Sequence, residues 1–286
     1  MSRGRATSEI FAPGILAGRV ALVTGGGTGL GMATAQELHR CGAAVAICGR
    51  RDEVLERAAA AIADAGSGPQ AVSWHAGDVR DPEDARRIVT AVTQRHGALD
   101  VLVNNAGGQF FSPAELIAAK GWRAVWRLNA EGMLNMSEAA YAVAMRAHGG
   151  TIVNVTLSPH HGMPGMAHSG AARAAVEALT GELARRWATD AITVCAVAAG
   201  HFDTEILAKY PAGVRAGAGR TVPLGRLGEP VEHAWLVTLL ATPVGRALSG
   251  ATVTLDGARD NWFGPWPPAG LADEAGRVPV EQRRTR

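Results

Sequence analysis

The 286-residue chain predicts an α/β protein, a single domain in which a seven-stranded, doubly wound parallel sheet carries helices on both faces. Three observations lead there. Apolar runs of strand length alternate with segments at helical spacing along nearly the whole chain. The first of these strands ends in a cluster of glycines that opens directly onto a helix. No internal repeat or linker divides the sequence, and this length suits one α/β domain.

In chain order, strands are expected near 20–24, 43–48, 71–75, 99–103, 151–156, 192–198 and 251–255, with helices near 29–40, 52–65, 82–96, 115–146, 168–188 and 229–241. The first strand, Val20 to Thr24, runs into Gly25-Gly-Gly-Thr-Gly-Leu-Gly31, and Met32 to Arg40 continue as a helix. Glycines let the backbone turn sharply and let a ligand approach the main chain, while the first free N–H groups of the helix point at it. A phosphate suits that place, so Gly25, Gly27, Thr28, Gly29, Leu30 and Gly31 are candidate cofactor residues. Their spacing, Gly-x-x-x-Gly-x-Gly, departs from the common Gly-x-Gly-x-x-Gly fingerprint.

The second strand ends at Gly49-Arg50-Arg51. In dinucleotide-binding sheets an acidic residue at this strand end binds the ribose hydroxyls, whereas arginine accommodates a 2′-phosphate. Gly49 stands where the acid would be, and the guanidinium of Arg50 or Arg51 offers a forked, permanently charged donor set. NADP(H) is therefore expected over NAD(H). Asp78 and Val79 follow the third strand and Asn104 to Gly108 follow the fourth, at the carboxyl ends where ligands of open sheets collect.

Composition limits the alternatives. Apolar residues make up 47%, the formal charge is +2 with acids and bases interleaved, and no apolar run reaches the length of a membrane span. Nucleic acid and membrane are not expected partners. Cys41, Cys48 and Cys195 are far apart and each lies in or beside an apolar stretch, so they read as buried thiols in a reducing compartment. The N-terminus has basic residues without an apolar stretch behind them, and no Ser-Lys-Leu tripeptide closes the chain, so a cytoplasmic location is expected. His160, His161 and His168 have no Cys or acidic pair beside them, and no metal site is expected.

Phe11-Ala-Pro-Gly-Ile-Leu16, the glycine turn, Asn104-Asn-Ala-Gly-Gly-Gln-Phe-Phe-Ser-Pro-Ala-Glu115, Lys120-Gly-Trp122 and His168-Ser-Gly-Ala-Ala-Arg-Ala174 together resemble the short-chain dehydrogenase/reductase family from Leu16 to about Gly257. Within it, the chain is most similar to trans-2-enoyl-CoA and 2,4-dienoyl-CoA reductases. The resemblance implies a Rossmann fold. It also implies that Asp78, with Val79, meets the adenine, that Asn105, Ala106 and Gly107 line the cofactor, and that Asn129 is the catalytic asparagine that holds a water. Ala199-Gly-His-Phe-Asp-Thr204 resembles the family's Pro-Gly-x-Ile-x-Thr turn, which implies cofactor roles for Gly200, Phe202 and Thr204. A tetramer joined through the long helices is implied as well.

The chain departs from the family at the chemistry. Most members carry a tyrosine, a lysine four residues on and a serine thirteen residues before the tyrosine; here those positions are Ser169, Arg173 and Thr156. The only tyrosines are Tyr141 and Tyr210 and the only lysines Lys120 and Lys209, and none has the needed spacing. Ser169 and Arg173 still share one helical face.

That exchange favours one reaction class. Reducing a ketone forms a localised alkoxide that needs a proton at once, and arginine will not relay one. Hydride addition to a conjugated C=C bond forms an enolate, whose oxygen needs donors aimed at it but no immediate proton. Ser169, Thr156 or Ser158 can donate, beside the charge of Arg173, and water or one of His160, His161 and His168 can protonate the α-carbon. The expected substrate is thus an α,β-unsaturated carbonyl, such as an acyl-CoA or acyl-carrier thioester. Two other readings stay open: a ketoreductase or alcohol dehydrogenase with an altered acid, and a cofactor-binding protein without hydride transfer.

The expected organisation is an N-terminal arm (1–17), the NADP(H)-binding domain (18–257) with a substrate loop at 205–227 that includes Gly213, Gly217 and Gly219, and a tail (258–286). Trp262, Phe263 and Trp266 among prolines make that tail a sticky segment expected to pack on a neighbouring subunit or to rim the substrate mouth, and the basic end from Glu281 is expected to be solvated.

Overall fold

A computed structural model describes residues 6–66, 70–158, 165–205, 207 and 217–261. Its elements run β1 (Val20–Thr24), α1 (Gly29–Arg40), β2 (Ala44–Gly49), α2 (Asp52–Ala63), β3 (Val72–Ala76), α3 (Pro82–His96), β4 (Val101–Asn104), α4 (Ala119–Trp126), α5 (Gly132–Ala140), α6 (Arg146–His148), β5 (Gly150–Leu157), α7 (Ala167–Trp187), β6 (Ile192–Ala199), α8 (Pro230–Ala241) and β7 (Thr252–Leu255). The strands form one parallel sheet in the order β3-β2-β1-β4-β5-β6-β7. The order reverses between β1 and β4, which opens a crevice at their carboxyl ends where such sheets bind ligands.

Both faces of the sheet are covered, so the central strands are apolar throughout rather than alternating. Val23, Val153, Val155 and Val197 pack with Leu38 of α1 and Val237 of α8 on one face. Leu22, Leu102, Ile152 and Val194 pack with Ile88 of α3, Met136 of α5 and Trp187 of α7 on the other. A buried polar chain pins the helices on this second face. Asn104 Nδ2 donates to Ser137 Oγ of α5 and to Asn154 Oδ1, each at 2.9 Å, and Asn154 Nδ2 donates to Thr180 Oγ1 of α7 at 2.9 Å. These bonds tie α5 and α7 to β4 and β5.

The expected boundaries hold to within a few residues, with one correction. The single helix anticipated over 115–146 begins only at Ala119, since Ile117 and Ala118 are extended (ψ 103° and 151°), and it runs on to His148 through two π turns, Arg127–Glu131 and Tyr141–Met145. Gly149, at φ 77°, ends it. All three cysteines are buried, and burial pushes the thiols of Cys41 and Cys48 up to about 12 and that of Cys195 to about 11. No described helix is long and apolar enough to cross a membrane. His160, His161, Lys209, Tyr210, Gly213 and the tail from Trp262 onward lie outside the described residues.

Candidate active site

The cofactor turn is built from main chain. Gly25 and Gly29 sit at φ 66° and 54°, the left-handed region that disfavours side chains. A Cβ on Gly31 would stand 2.4 Å from the carbonyl oxygen of Gly25 and 2.4 Å from Asn105 Nδ2, so only glycine fits there. Thr28, extended at φ −154°, precedes α1 without capping it, and the first turn of the helix holds no acid. The N–H groups and the positive end of the helix are thus left for an anion. Thr24 at the end of β1 secures the facing loop: its Oγ1 accepts from the backbone N–H of Asn105 (3.0 Å) and of Ala106 (2.9 Å). Asn105 Nδ2 in turn donates to the Thr24 carbonyl at 3.0 Å. These bonds hold the Asn105–Ala106–Gly107 loop against the turn. The residues present fit a dinucleotide phosphate.

Around this turn the remaining cofactor candidates divide. Arg50 and Arg51 are exposed at the end of β2, and neither makes an ion pair among the described residues. Arg50 is close enough to Asp78 to help depress its pKa. The Asp78 carboxylate is already engaged, since Arg80 Nε donates to both its oxygens at 2.9 Å, and that bond is the main reason its pKa is lowered. Val79 turns its side chain into the core against Gly132, and its carbonyl accepts from Asn135 Nδ2 at 3.0 Å. Thr204 reaches the turn, with its Cγ2 4.0 Å from where a Gly29 Cβ would be. Gly200 is needed because its Cβ would lie 2.5 Å from that of Asp256. The ring of Phe202 is buried against Gly228 and edge-on to His233, so its side chain serves the packing of this turn.

The reacting end is lined from α7 and the end of β5. Ser169, Arg173, Glu177 and Thr180 repeat at helical spacing along one face of α7. Arg173 donates from Nη1 to the Val155 carbonyl at 2.6 Å, and a Cβ on Gly107 would come within 2.4 Å of its Nη2. Desolvation lowers its pKa to about 10, so it stays a cation at neutral pH. Ser169 is fully buried with no partner for its Oγ.

The other hydroxyls are already spoken for. Thr156 Oγ1 donates to Glu177 Oε1 at 2.9 Å, and Ser158 Oγ donates to Asp256 Oδ2. Both assignments as free donors are therefore corrected, because the capturing carboxylates come from residues distant in sequence. Asn129 is also occupied. Its Nδ2 donates to the carbonyls of Gly108 and Val125, each at 2.8 Å, and its Oδ1 accepts from Gly108 N–H at 3.1 Å. Its side chain thus clamps the loop after β4, and the π turn in which it sits alters the pairing of the local carbonyls. Tyr141 offers no substitute acid: its hydroxyl donates to Asp190 at 2.9 Å, and its ring stacks on Trp187 at 4.6 Å.

Thr24, Glu177 and Asp256 were not singled out from the sequence. A strand-end threonine carries no mark of what it holds, and the partners of Glu177 and Asp256 are revealed only by the packing of α7 and β7.

Comparisons with known proteins show the family and fold of the chain. Residues 25–258 match the family model described as enoyl-(acyl carrier protein) reductase. A peroxisomal 2,4-dienoyl-CoA reductase of Arabidopsis thaliana is 37% identical over 259 residues, 86% of either chain. A cis-4-hydroxycyclohexanecarboxylate dehydrogenase of Sinomonas cyclohexanicum is 37% identical over 84% of this chain and 95% of its own. Among solved structures, a citronellol catabolism dehydrogenase of Pseudomonas aeruginosa superposes with a TM-score of 0.79 at 38% identity, covering 88% of this chain and 98% of that one.

Proposed function

Because this chain belongs to the short-chain dehydrogenase/reductase family and is thereby an oxidoreductase, we propose that it reduces the conjugated C=C bond of an enoyl or dienoyl thioester with NADP(H). The observation that carries this reading is the pairing of Ser169, whose hydroxyl has no partner, with the half-buried cation of Arg173 one turn away and, among the described residues, no free phenol alongside. The glycine turn and α1 would hold the diphosphate, Arg50 and Arg51 the 2′-phosphate, and Thr204 and Arg173 the nicotinamide end. When bound, the reduced nicotinamide supplies hydride. Ser169 donates a hydrogen bond to the thioester oxygen as charge moves onto it, and Arg173 keeps the local potential positive. One such donor is worth about 3 kcal/mol. Since arginine keeps its proton at any working pH, the α-carbon is protonated from water. Names among the relatives support the substrate class, as 2,4-dienoyl-CoA reductases recur in them.

A second reading, oxidation or reduction at a CH–OH carbon, is favoured by the 37% identity to a hydroxycyclohexanecarboxylate dehydrogenase. One assay separates the two. Purified protein with NADPH is offered a trans-2-enoyl-CoA, a 2,4-dienoyl-CoA or a 3-ketoacyl-CoA, and cofactor oxidation is followed. Turnover of an unsaturated thioester is the expected result; turnover of the ketone alone rejects the proposal.

A further inference from the structure

His168 is the residue next to Ser169 in the first turn of α7, and the reading above leaves it unused. Its side chain is 1% exposed, yet neither ring nitrogen makes a well-formed hydrogen bond. Its ring sits edge-on to Phe110 (centroids 4.3 Å apart) and to Trp122 of α4 (6.1 Å). The loop carrying Phe110 is tied to the start of α7 by the Ser112 N–H, which donates to the Gly165 carbonyl at 2.8 Å. Two consecutive buried side chains therefore present three polar atoms with no well-formed hydrogen bond, the Met166 carbonyl lying near the imidazole, where folded proteins pair nearly all such atoms. Leaving each unpaired costs about 1–3 kcal/mol, a cost that a ligand oxygen bonded to them would remove.

We infer that His168 donates an N–H to the substrate's carbonyl oxygen alongside the Ser169 hydroxyl, as a catalytic residue that stabilises the enolate without giving up its proton. The inference rests on the enoyl-thioester reading. Consecutive residues of a helix diverge by about 100°, so one atom can serve both only above the N-terminal end of α7, where the peptide dipoles also favour negative charge. Burial holds the imidazole below its ordinary pKa, with the Met166 carbonyl opposing, so His168 is neutral near pH 7. A neutral imidazole is a poor acid and a good hydrogen-bond donor, the character an electrophile to a developing oxyanion requires. The balance is simple. Hydride adds to the unsaturated carbon, the π electrons move to the thioester oxygen, the imidazole N–H bonds to that oxygen and stays on nitrogen, and solvent later delivers the proton to the α-carbon.

The test compares His168→Leu, which removes the donor, with His168→Gln, which keeps an N–H. The readouts are kcat, NADPH affinity, and the infrared carbonyl stretch of a 13C=O-labelled enoyl thioester bound with oxidised cofactor. In the Leu variant kcat is expected to fall about 10²-fold and the carbonyl band to move up in frequency, with NADPH affinity unchanged. The Gln variant is expected to recover most of both. A Leu variant with wild-type kcat and an unshifted band overturns the inference. So does an equal kcat loss in both variants with the band unmoved, which would mark packing alone. If the wild-type protein turns over only a 3-ketoacyl thioester, the parent reading falls by itself, and the ketone's own carbonyl band then tests His168 in the same way.

Discussion

The two halves of the site are written in different materials. At β1–α1 the work is done by backbone: two left-handed glycines, a third that leaves no room for a Cβ, and a helix start without a cap or an acid. At β5–α7 it is done by side chains, and there proximity did not make a residue available, because Glu177 has taken the Thr156 hydroxyl and Asp256 that of Ser158. A backbone site is defined by what is missing and tolerates no addition. A side-chain site is defined by which groups remain unpaired after the fold has used what it needs.

The largest test of that contrast lies among the three hydroxyls. Ser169→Ala is expected to lower kcat for the enoyl thioester by about 10²–10³-fold, as removal of an oxyanion donor does. Thr156→Val and Ser158→Ala are expected to stay within about tenfold, since neither proton is free for substrate; instead each removes one hydrogen bond to a carboxylate, Glu177 or Asp256, at a stability cost of about 1 kcal/mol. Steady-state kinetics with urea unfolding reads both. A Thr156→Val loss in kcat equal to that of Ser169→Ala would erase the distinction.

Glycines in the two regions provide the next comparison. A Cβ at Gly31 meets the Gly25 carbonyl at 2.4 Å, whereas one at Gly170, in the first turn of α7, meets nothing within 4 Å. Gly31→Ala is expected to weaken NADPH binding by about 10²-fold, as overpacking against backbone forces the turn open. Gly170→Ala should leave affinity unchanged and raise stability by up to about 1 kcal/mol through helix propensity. Fluorescence titration of NADPH and thermal unfolding report the pair, and equal losses of affinity would sink the backbone account of the turn.

That difference also explains what could be seen in the sequence. Strand and helix alternation, the sheet and the glycine turn were all legible, because periodicity and the absence of a Cβ are properties of the string itself. The helix start at Ala119 was not, since the extended pair Ile117–Ala118 has no Pro or Gly to announce it. The roles of Thr156, Ser158 and Phe202 were not legible either, because each depends on a partner far along the chain: Glu177, Asp256, and Gly228 with His233. Ser169 was identified by counting back along α7, but its being unengaged is a fact of packing.

On the nucleotide half, α1 is tied to α8 at His233, which is fully buried, has its Nδ1 3.3 Å from Thr34 Oγ1 of α1, and lies edge-on to Phe202. Desolvation lowers its pKa from 6.5 to about 4. The unfolded chain therefore takes up this proton first as pH falls, so the stability it contributes is complete above pH 6.5 and is lost between 6.5 and 4. From pH 7 to 5 the loss is expected to be about 2 kcal/mol. His201, held near 4 chiefly by burial, acts in the same direction. Urea midpoints at pH 7, 6 and 5 should fall more steeply in the wild type than in His233→Gln, by about one proton. Parallel slopes would show that α1 and α8 are not joined through a neutral imidazole.

The smallest effect concerns the one part of the nucleotide half that is side chain rather than backbone. Arg50 and Arg51 are exposed at the end of β2, so a charge-assisted bond to a 2′-phosphate there is screened by solvent and sits at the low end of its range, about 1.5 kcal/mol. Arg50→Ala is accordingly expected to raise KM for NADPH about tenfold while KM for NADH hardly moves, and the NADPH effect should shrink as salt is raised from 50 to 500 mM, in the range where screening strengthens. If Arg50→Ala weakened both nucleotides alike, the arginine would be reading the diphosphate or nothing, and selectivity would return to the glycine turn, which cannot tell the two cofactors apart.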